Sequence, residues 1–179
     1  MTSRIATPAV ESATGKTAEV FAQIKKAVGM VPNTYAAIGA LNVDALQAVL
    51  QADAVVNASS LSKQDKEVIK LLASVVTGCD YCVAAHSLIG KMAGLSQETL
   101  HQIRHNEATG DAKRDALIRF VKILKETSGT ISADEFAAIK AAGYTDVQLV
   151  EISLALTVIS FTNLFNRIND TTVDFPAVS

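Results

Sequence analysis

At 179 residues and 49 % hydrophobic composition, the chain has enough apolar material for one domain with a substantial core. Its 16 Lys and Arg against 18 Asp and Glu give a formal net charge of −2 with no basic cluster, which excludes a nucleic-acid footprint. The apolar content is Ala, Leu, Val and Ile with few aromatics and no Trp, a composition suited to closely packed helices; a chain this apolar also points to a homo-oligomer that hides part of its surface.

Taken in chain order, nearly every segment reads as helix. Residues 1–16 form an N-terminal extension, with no apolar stretch behind Arg4 that would make a secretory leader. Thr17 to Val28 carries Val20, Phe21, Ile24 and Val28 as a helical stripe, and Gly29 stops it. Val31-Pro32-Asn33 is a turn opening a short helix from Thr34 to Leu41. Asn42 caps a helix to about Asn57 with Leu46, Val49 and Leu50 inward, and Ser62 caps the next, which ends at Thr77-Gly78. A helix beginning at Cys79 runs to near Gly94, and a more polar one runs from Ser96 to about Asn106. After a loop at 108–111, Ala112 to Thr127 is amphipathic through Leu117, Phe120, Val121 and Leu124. Capping-box patterns at Ser132–Glu135 and Thr145–Gln148 start the last two helices. The final helix, to about Asp170, is apolar nearly all round in its first half and reads as buried; 171–179 is a C-terminal tail. No alternating strand pattern and no hairpin signal is present, so the expected fold is all-α, one helical domain over 1–179. The stretch Leu149 to Phe165 is interrupted by Glu151, Asn163 and several hydroxyl residues, which argues against a membrane span and for the cytosol.

One constellation looks like chemistry rather than packing. Glu67, Cys79, Cys82 and His86 fall within twenty residues, and the two cysteines are the only ones in the chain. In a reducing compartment a C-x-x-C is catalytic or metal-binding more often than a structural staple. A thiolate is the reactive form, and three features favour it here: a helix N-terminus at Cys79, His86 one turn beyond Cys82, and Glu67 on the preceding helix, positioned to orient that histidine if the two helices fold back on each other. Asp80 opposes them as a neighbouring negative charge. His86 lies about 6 Å along the axis from Cys82 and roughly 10 Å from Cys79. The spacing therefore selects Cys82 as the base-assisted attacking thiol and Cys79 as the resolving one.

The pattern Glu-x11-Cys-x2-Cys-x3-His resembles the signature of the alkyl hydroperoxidase D (AhpD-like) family, in the carboxymuconolactone decarboxylase superfamily, and Glu67, Cys79, Cys82 and His86 fall on its four positions. The resemblance implies an all-α fold assembled into trimers or multiples of them. It implies a peroxidase that reduces hydroperoxides through a cysteine sulfenic acid and an intramolecular disulfide, or that reduces a partner peroxiredoxin. His86 and Glu67 would relay protons, a dithiol reductant would restore the pair, and no cofactor or metal would be needed. Some members carry a histidine between the cysteines, where this chain has Asp80-Tyr81.

Other readings of the same residues stand beside it. Cys79, Cys82, His86 and Glu67 supply four zinc-type ligands, which would make a structural module or redox sensor. A lactone decarboxylase like the superfamily's name-giver would use cofactor-free acid–base chemistry and has no use for a dithiol. A thioredoxin needs strand–helix alternation, which is absent, and a c-type haem site needs histidine where Val83 stands. His101 and His105 are also i,i+4, but Glu98, Gln102, Arg104 and Glu107 around them make a solvated face, outside the site. The stripe Leu149, Ile152, Leu156 and Ile159 reads as core or subunit interface; the polar end Asn163, Asn166, Arg167, Asn169 and Asp170 caps the helix, meets another subunit or touches the site.

Overall fold

Short polar side chains decide where most of the helices begin. The computed structural model describes residues 3–177, and among these the helices are α1 (Gly15–Val28), α2 (Asn33–Leu41), α3 (Val43–Asn57), α4 (Lys63–Thr77), α5 (Asp80–Met92), α6 (Gln97–His105), α7 (Ala112–Thr127), α8 (Ala133–Ala141) and α9 (Asp146–Asn169), after a short 3-10 turn at Val10–Ser12. From α3 onward each starts on a side chain that accepts a first-turn N–H: Asn42, Ser62, Cys79, Ser96, Asp111, Ser132 and Thr145. Thr145 and Gln148 complete the expected capping box. At Ser132 only half of the box forms, because the Glu135 carboxylate is taken by the Arg119 guanidinium.

The fold is all-α, with no strand among the described residues. Helix α4 is its centre, packed against α5, α7 and α9, and every residue from Lys66 to Ser74 is buried. A helix walled in on all sides must bury its polar face too, and each of those groups has a partner. Lys66 Nζ donates to the Asn57 carbonyl at 2.6 Å, Lys70 Nζ to Asp53 at 2.7 Å, and Ser74 Oγ to the Lys70 carbonyl at 2.7 Å. The apolar side of α4, with Val68, Ile69, Leu71 and Leu72, joins Ile103, Leu117, Val121 and Ile152 in the main core. Truncating Leu72 to Ala there would cost about 2–5 kcal/mol. A smaller core of Val20, Phe21, Ile24, Ile38 and Leu46 holds α1, α2 and α3 together. Val28, expected in the α1 stripe, is exposed.

Helix α9 departs most from expectation. Its inner face is buried through Ile152, Ala155, Leu156 and Ile159, but Val147 and Val150 face outward, so the first half is not buried all round. Among the described residues α9 alone is long and apolar enough to cross a bilayer, longer than the apolar stretch read from the sequence because it continues to Asn169. In this fold it packs against α2, α3, α4 and α5, and Asn163, Asn166 and Asn169 are buried with hydrogen-bond partners, as in a core helix.

Candidate active site

The site is built on the turn between α4 and α5. Gly78 ends α4 in the left-handed conformation at φ 65°, where a side chain would be strained, and the N–H groups of Gly78 and Cys79 return to the carbonyls of Val75 and Ser74, both at 3.0 Å. This closed end reverses the chain at once. α5 then runs back along α4, and Gln64 Nε2 near the start of α4 donates to the Gly94 carbonyl just past the end of α5 at 3.2 Å. Close packing at the far end of α5 depends on Gly90, where a Cβ would stand 2.9 Å from Leu100 Cδ2 and 3.3 Å from Leu95 Cδ1.

Antiparallel packing brings Glu67 against His86. His86 Nδ1 and Glu67 Oε2 are 2.8 Å apart, the carboxyl side chain is 8 % exposed and the imidazole 13 %. A carboxylate oxygen accepts, so the proton on this contact belongs to Nδ1, which leaves Nε2 as the ring's other working position. The two residues come from different helices and are nineteen apart in sequence, so the hairpin rather than local propensity makes the pair.

At the turn itself the two sulfurs meet. Cys79 and Cys82 are free and buried, with Sγ atoms 2.6 Å apart. Cys79 is the N-cap of α5, and its sulfur accepts the Cys82 N–H at 3.4 Å. The Cys79 thiol is held below its ordinary value of 9.0, chiefly by its hydrogen bond with Cys82, with help from the Cys82 N–H and Asn166 and against burial and Asp80. Cys82 is correspondingly pushed up, first by its hydrogen bond with Cys79 and then by burial. The sulfur contact and the Cys82 N–H thus make Cys79 the more acidic thiol of the pair.

Three side chains that sequence reasoning left unassigned complete the surroundings. Asn166, from the polar end of α9, donates from Nδ2 to Cys82 Sγ at 3.2 Å, and its Oδ1 accepts the Thr34 hydroxyl at 2.8 Å. Asn163 bonds Ser74 at 3.1 Å and Thr77 at 2.9 Å at the end of α4. Tyr35, in α2, has its hydroxyl pushed up to about 12 by burial first and then by the charges of Asp53 and Cys82. The one signal in the sequence was the run of asparagines at 163, 166 and 169, on a helix otherwise apolar along its inner face. Of the others at that end, Asn169 accepts the Ile5 N–H at 2.9 Å, Arg167 donates to the Thr77 carbonyl, and Asp170 caps the helix.

Tyr81, between the cysteines, directs its hydroxyl to the C-terminal tail and to Thr34. Its hydroxyl donates to Asp174 at 2.7 Å, and its ring meets Phe175 edge-on with centroids 5.4 Å apart. It therefore ties the C-terminal tail over α5, beside an open apolar groove of about 400 Å³ bounded by Asp80, Val83, Ala84, Val173, Phe175 and Ala177. The second histidine pair lies elsewhere: His101 and His105 stack edge-on at 4.0 Å on α6, with the His101 side chain half exposed. Among the described residues no three His, Cys, Asp or Glu side chains converge as a cation site.

Residues 42–122, which span α3 to α6 and most of α7, match the family model of the carboxymuconolactone decarboxylase family. No curated protein matches the chain in sequence. Among solved structures it is similar to a peroxidase-related protein with an AhpD alkylhydroperoxidase core from Ralstonia eutropha JMP134, with a TM-score of 0.86 and 19 % identity over 96 % of this chain and 92 % of that one. A peroxidase-related protein from Silicibacter sp. TM1040 gives 0.84 and 21 % over 95 % and 91 %. The debrominase Bmp8, as a cysteine-to-alanine variant in complex with 2,3,4-tribromopyrrole, gives 0.80 and 18 % over 96 % and 94 %. At these identities the likeness is one of fold.

Proposed function

We propose, from the match of residues 42–122 to the carboxymuconolactone decarboxylase family model and from the AhpD-like all-α fold, that the chain is a thiol peroxidase that reduces an organic hydroperoxide with Cys82 and Cys79. The observation that carries the reading is the buried sulfur pair, 2.6 Å apart at a helix N-terminus, one turn of α5 before a histidine oriented by a buried carboxylate. In the resting pair Cys79 bears the charge. Transfer of the shared proton across the sulfur contact gives the Cys82 thiolate, which attacks the terminal peroxide oxygen. The O–O bond breaks, Cys82 becomes a sulfenic acid, and the departing alkoxide takes a proton from the His86–Glu67 pair and leaves as the alcohol. Cys79 then passes its proton to the His86–Glu67 pair and, again a thiolate, attacks the sulfenic sulfur; a disulfide forms, and the hydroxide released takes that proton and leaves as water. A dithiol donor of a reducing cytosol exchanges with the disulfide and returns both thiols.

A complete dithiol is what separates this reading from lactone decarboxylation, which needs none. The test is mass spectrometry after one equivalent of cumene hydroperoxide. A Cys79–Cys82 disulfide in the wild type and a trapped oxidised Cys82 in Cys79→Ser are expected, with turnover lost in Cys82→Ser. Two unreactive thiols would end the proposal. Release of bromide from 2,3,4-tribromopyrrole without peroxide consumption would keep the dithiol as reductant and replace the peroxide by an aryl halide.

The same proposal includes self-association. Val147, Val150, Leu154, Phe161, Leu164 and Ile168, with Thr157 between them, repeat at alternating three- and four-residue steps along the outer face of α9, the spacing of a helix-pairing seam. Val150 is 71 % exposed and Leu164 62 %, and no described element of this chain covers them, while Leu154 between them is partly packed on the core. The same face of a second copy fits it. Sedimentation is expected to show an assembly that Leu164→Glu dissociates; a wild-type monomer would refute it.

A further inference from the structure

We infer that Asn166 is the positioning residue for the sulfur pair, its side-chain amide holding negative charge on Cys82 as that sulfur becomes the nucleophile. The inference rests on the thiol-redox reading of the same site. Asn166 is 3 % exposed, on the helix facing the α4–α5 turn, and its Nδ2 stands 3.2 Å from Cys82 Sγ. It also lies close enough to Cys79 to favour that thiolate, so one amide serves both sulfurs. Its direction is fixed from the other side. Oδ1 accepts the Thr34 hydroxyl at 2.8 Å, so the NH2 group is the end left facing the sulfurs. Thr34 is held in turn: its N–H donates to the Tyr81 oxygen at 3.3 Å, Tyr81 donates to Asp174 at 2.7 Å, and the other Asp174 oxygen accepts the Asn33 N–H at 2.9 Å. Helix α2, the residue between the cysteines and the C-terminal tail thus all converge on the orientation of one amide. A buried donor aimed at a sulfur stabilises the thiolate and leaves the thiol little affected, which is what a nucleophile with a shared proton requires.

The test uses Cys79→Ser, so that only Cys82 reports, and follows its alkylation by iodoacetamide against pH. Asn166→Ala is expected to raise the half-maximal pH by about one unit and to slow alkylation at neutral pH about tenfold, the effect of one lost hydrogen bond to a charged group. Asn166→Asp keeps the shape and the Thr34 acceptor but sets a carboxylate against the sulfur, and should move the profile further the same way. An unmoved profile in both variants, whatever their melting temperatures, overturns the inference. If both variants fail to fold, Thr34→Val, which frees the amide without touching it, takes their place: a smaller upward shift supports the inference and an unchanged profile overturns it. Because alkylation uses no peroxide, the two readings fail separately. A shifted profile in a protein that consumes no hydroperoxide sinks the peroxidase and keeps Asn166; normal turnover with an unmoved profile does the reverse.

Discussion

Helices α5 and α6 are adjacent, begin in the same way and each place histidine near a carboxylate, yet only α5 carries the candidate site. Each starts on a side chain that accepts the N–H three residues on: Cys79 Sγ from Cys82 at 3.4 Å, and Ser96 Oγ from Thr99 at 3.0 Å. Each carries histidine in its second or third turn with a carboxylate at hand. On α5, His86 is pressed against α4 and meets Glu67 at 2.8 Å away from water. On α6, His101 lies 3.9 Å from Glu107 with both side chains about half exposed. An ion pair of the second kind contributes little in water, whereas the first fixes a ring and its tautomer. A cap and a histidine become a site when a second helix covers them.

Four changes test that contrast. The largest effect is expected at the pair itself: Glu67→Gln or His86→Ala should slow peroxide reduction about 10²–10⁴-fold, the range of a lost acid–base group, while His101→Ala and His105→Ala leave the rate unchanged. Steady-state kinetics with a single hydroperoxide decides it, and a comparable loss at His101 would break the comparison. Next comes the contact between the two helices. Gly90→Ala sets a methyl against Leu100 and Leu95 and should destabilise by about 1–3 kcal/mol in denaturant unfolding.

The third change reads the caps through pH. Cys79 titrates lower folded than unfolded, so between its folded value and the ordinary 9.0 the unfolded chain binds the extra proton. Stability of the reduced protein therefore rises with pH across that window, is fully present above 9.0 as far as Cys79 is concerned, and is lost as pH falls through the folded value. Cys79→Ser should flatten the slope, whereas Ser96→Ala should leave it intact; parallel slopes in all three proteins would remove the thiolate from the cap. The smallest effect is at α6 alone, where Ser96→Ala is expected to cost about 1 kcal/mol of stability with no change in rate.

Much of this was legible in the chain. Helix starts follow from side chains that cap their own first turn, which is why Asn42, Ser62, Ser96 and Thr145 mark boundaries that the structure keeps. The proximity of Cys79 to Cys82 is equally local, since three residues in a helical first turn bring the sulfurs together whatever surrounds them. The outward turn of Val147 and Val150 was not legible, because an apolar helix gives no sign of which apolar side its neighbours leave uncovered. Nor was the difference in acidity within the sulfur pair: Cys79 is lowered first by its hydrogen bond with Cys82 and further by Asn166 of α9, a partner its own segment does not contain.

What the sequence by itself determined, then, is the all-α fold, the caps and the dithiol, each set by interactions within a turn or two of helix. Only the tertiary structure decided that Glu67 reaches His86, that Asn166 of α9 donates to Cys82, and that the Tyr81 hydroxyl joins the tail to Thr34. Those contacts join residues far apart in the chain, and their partners are chosen by how helices pack around α4, a property no single segment contains.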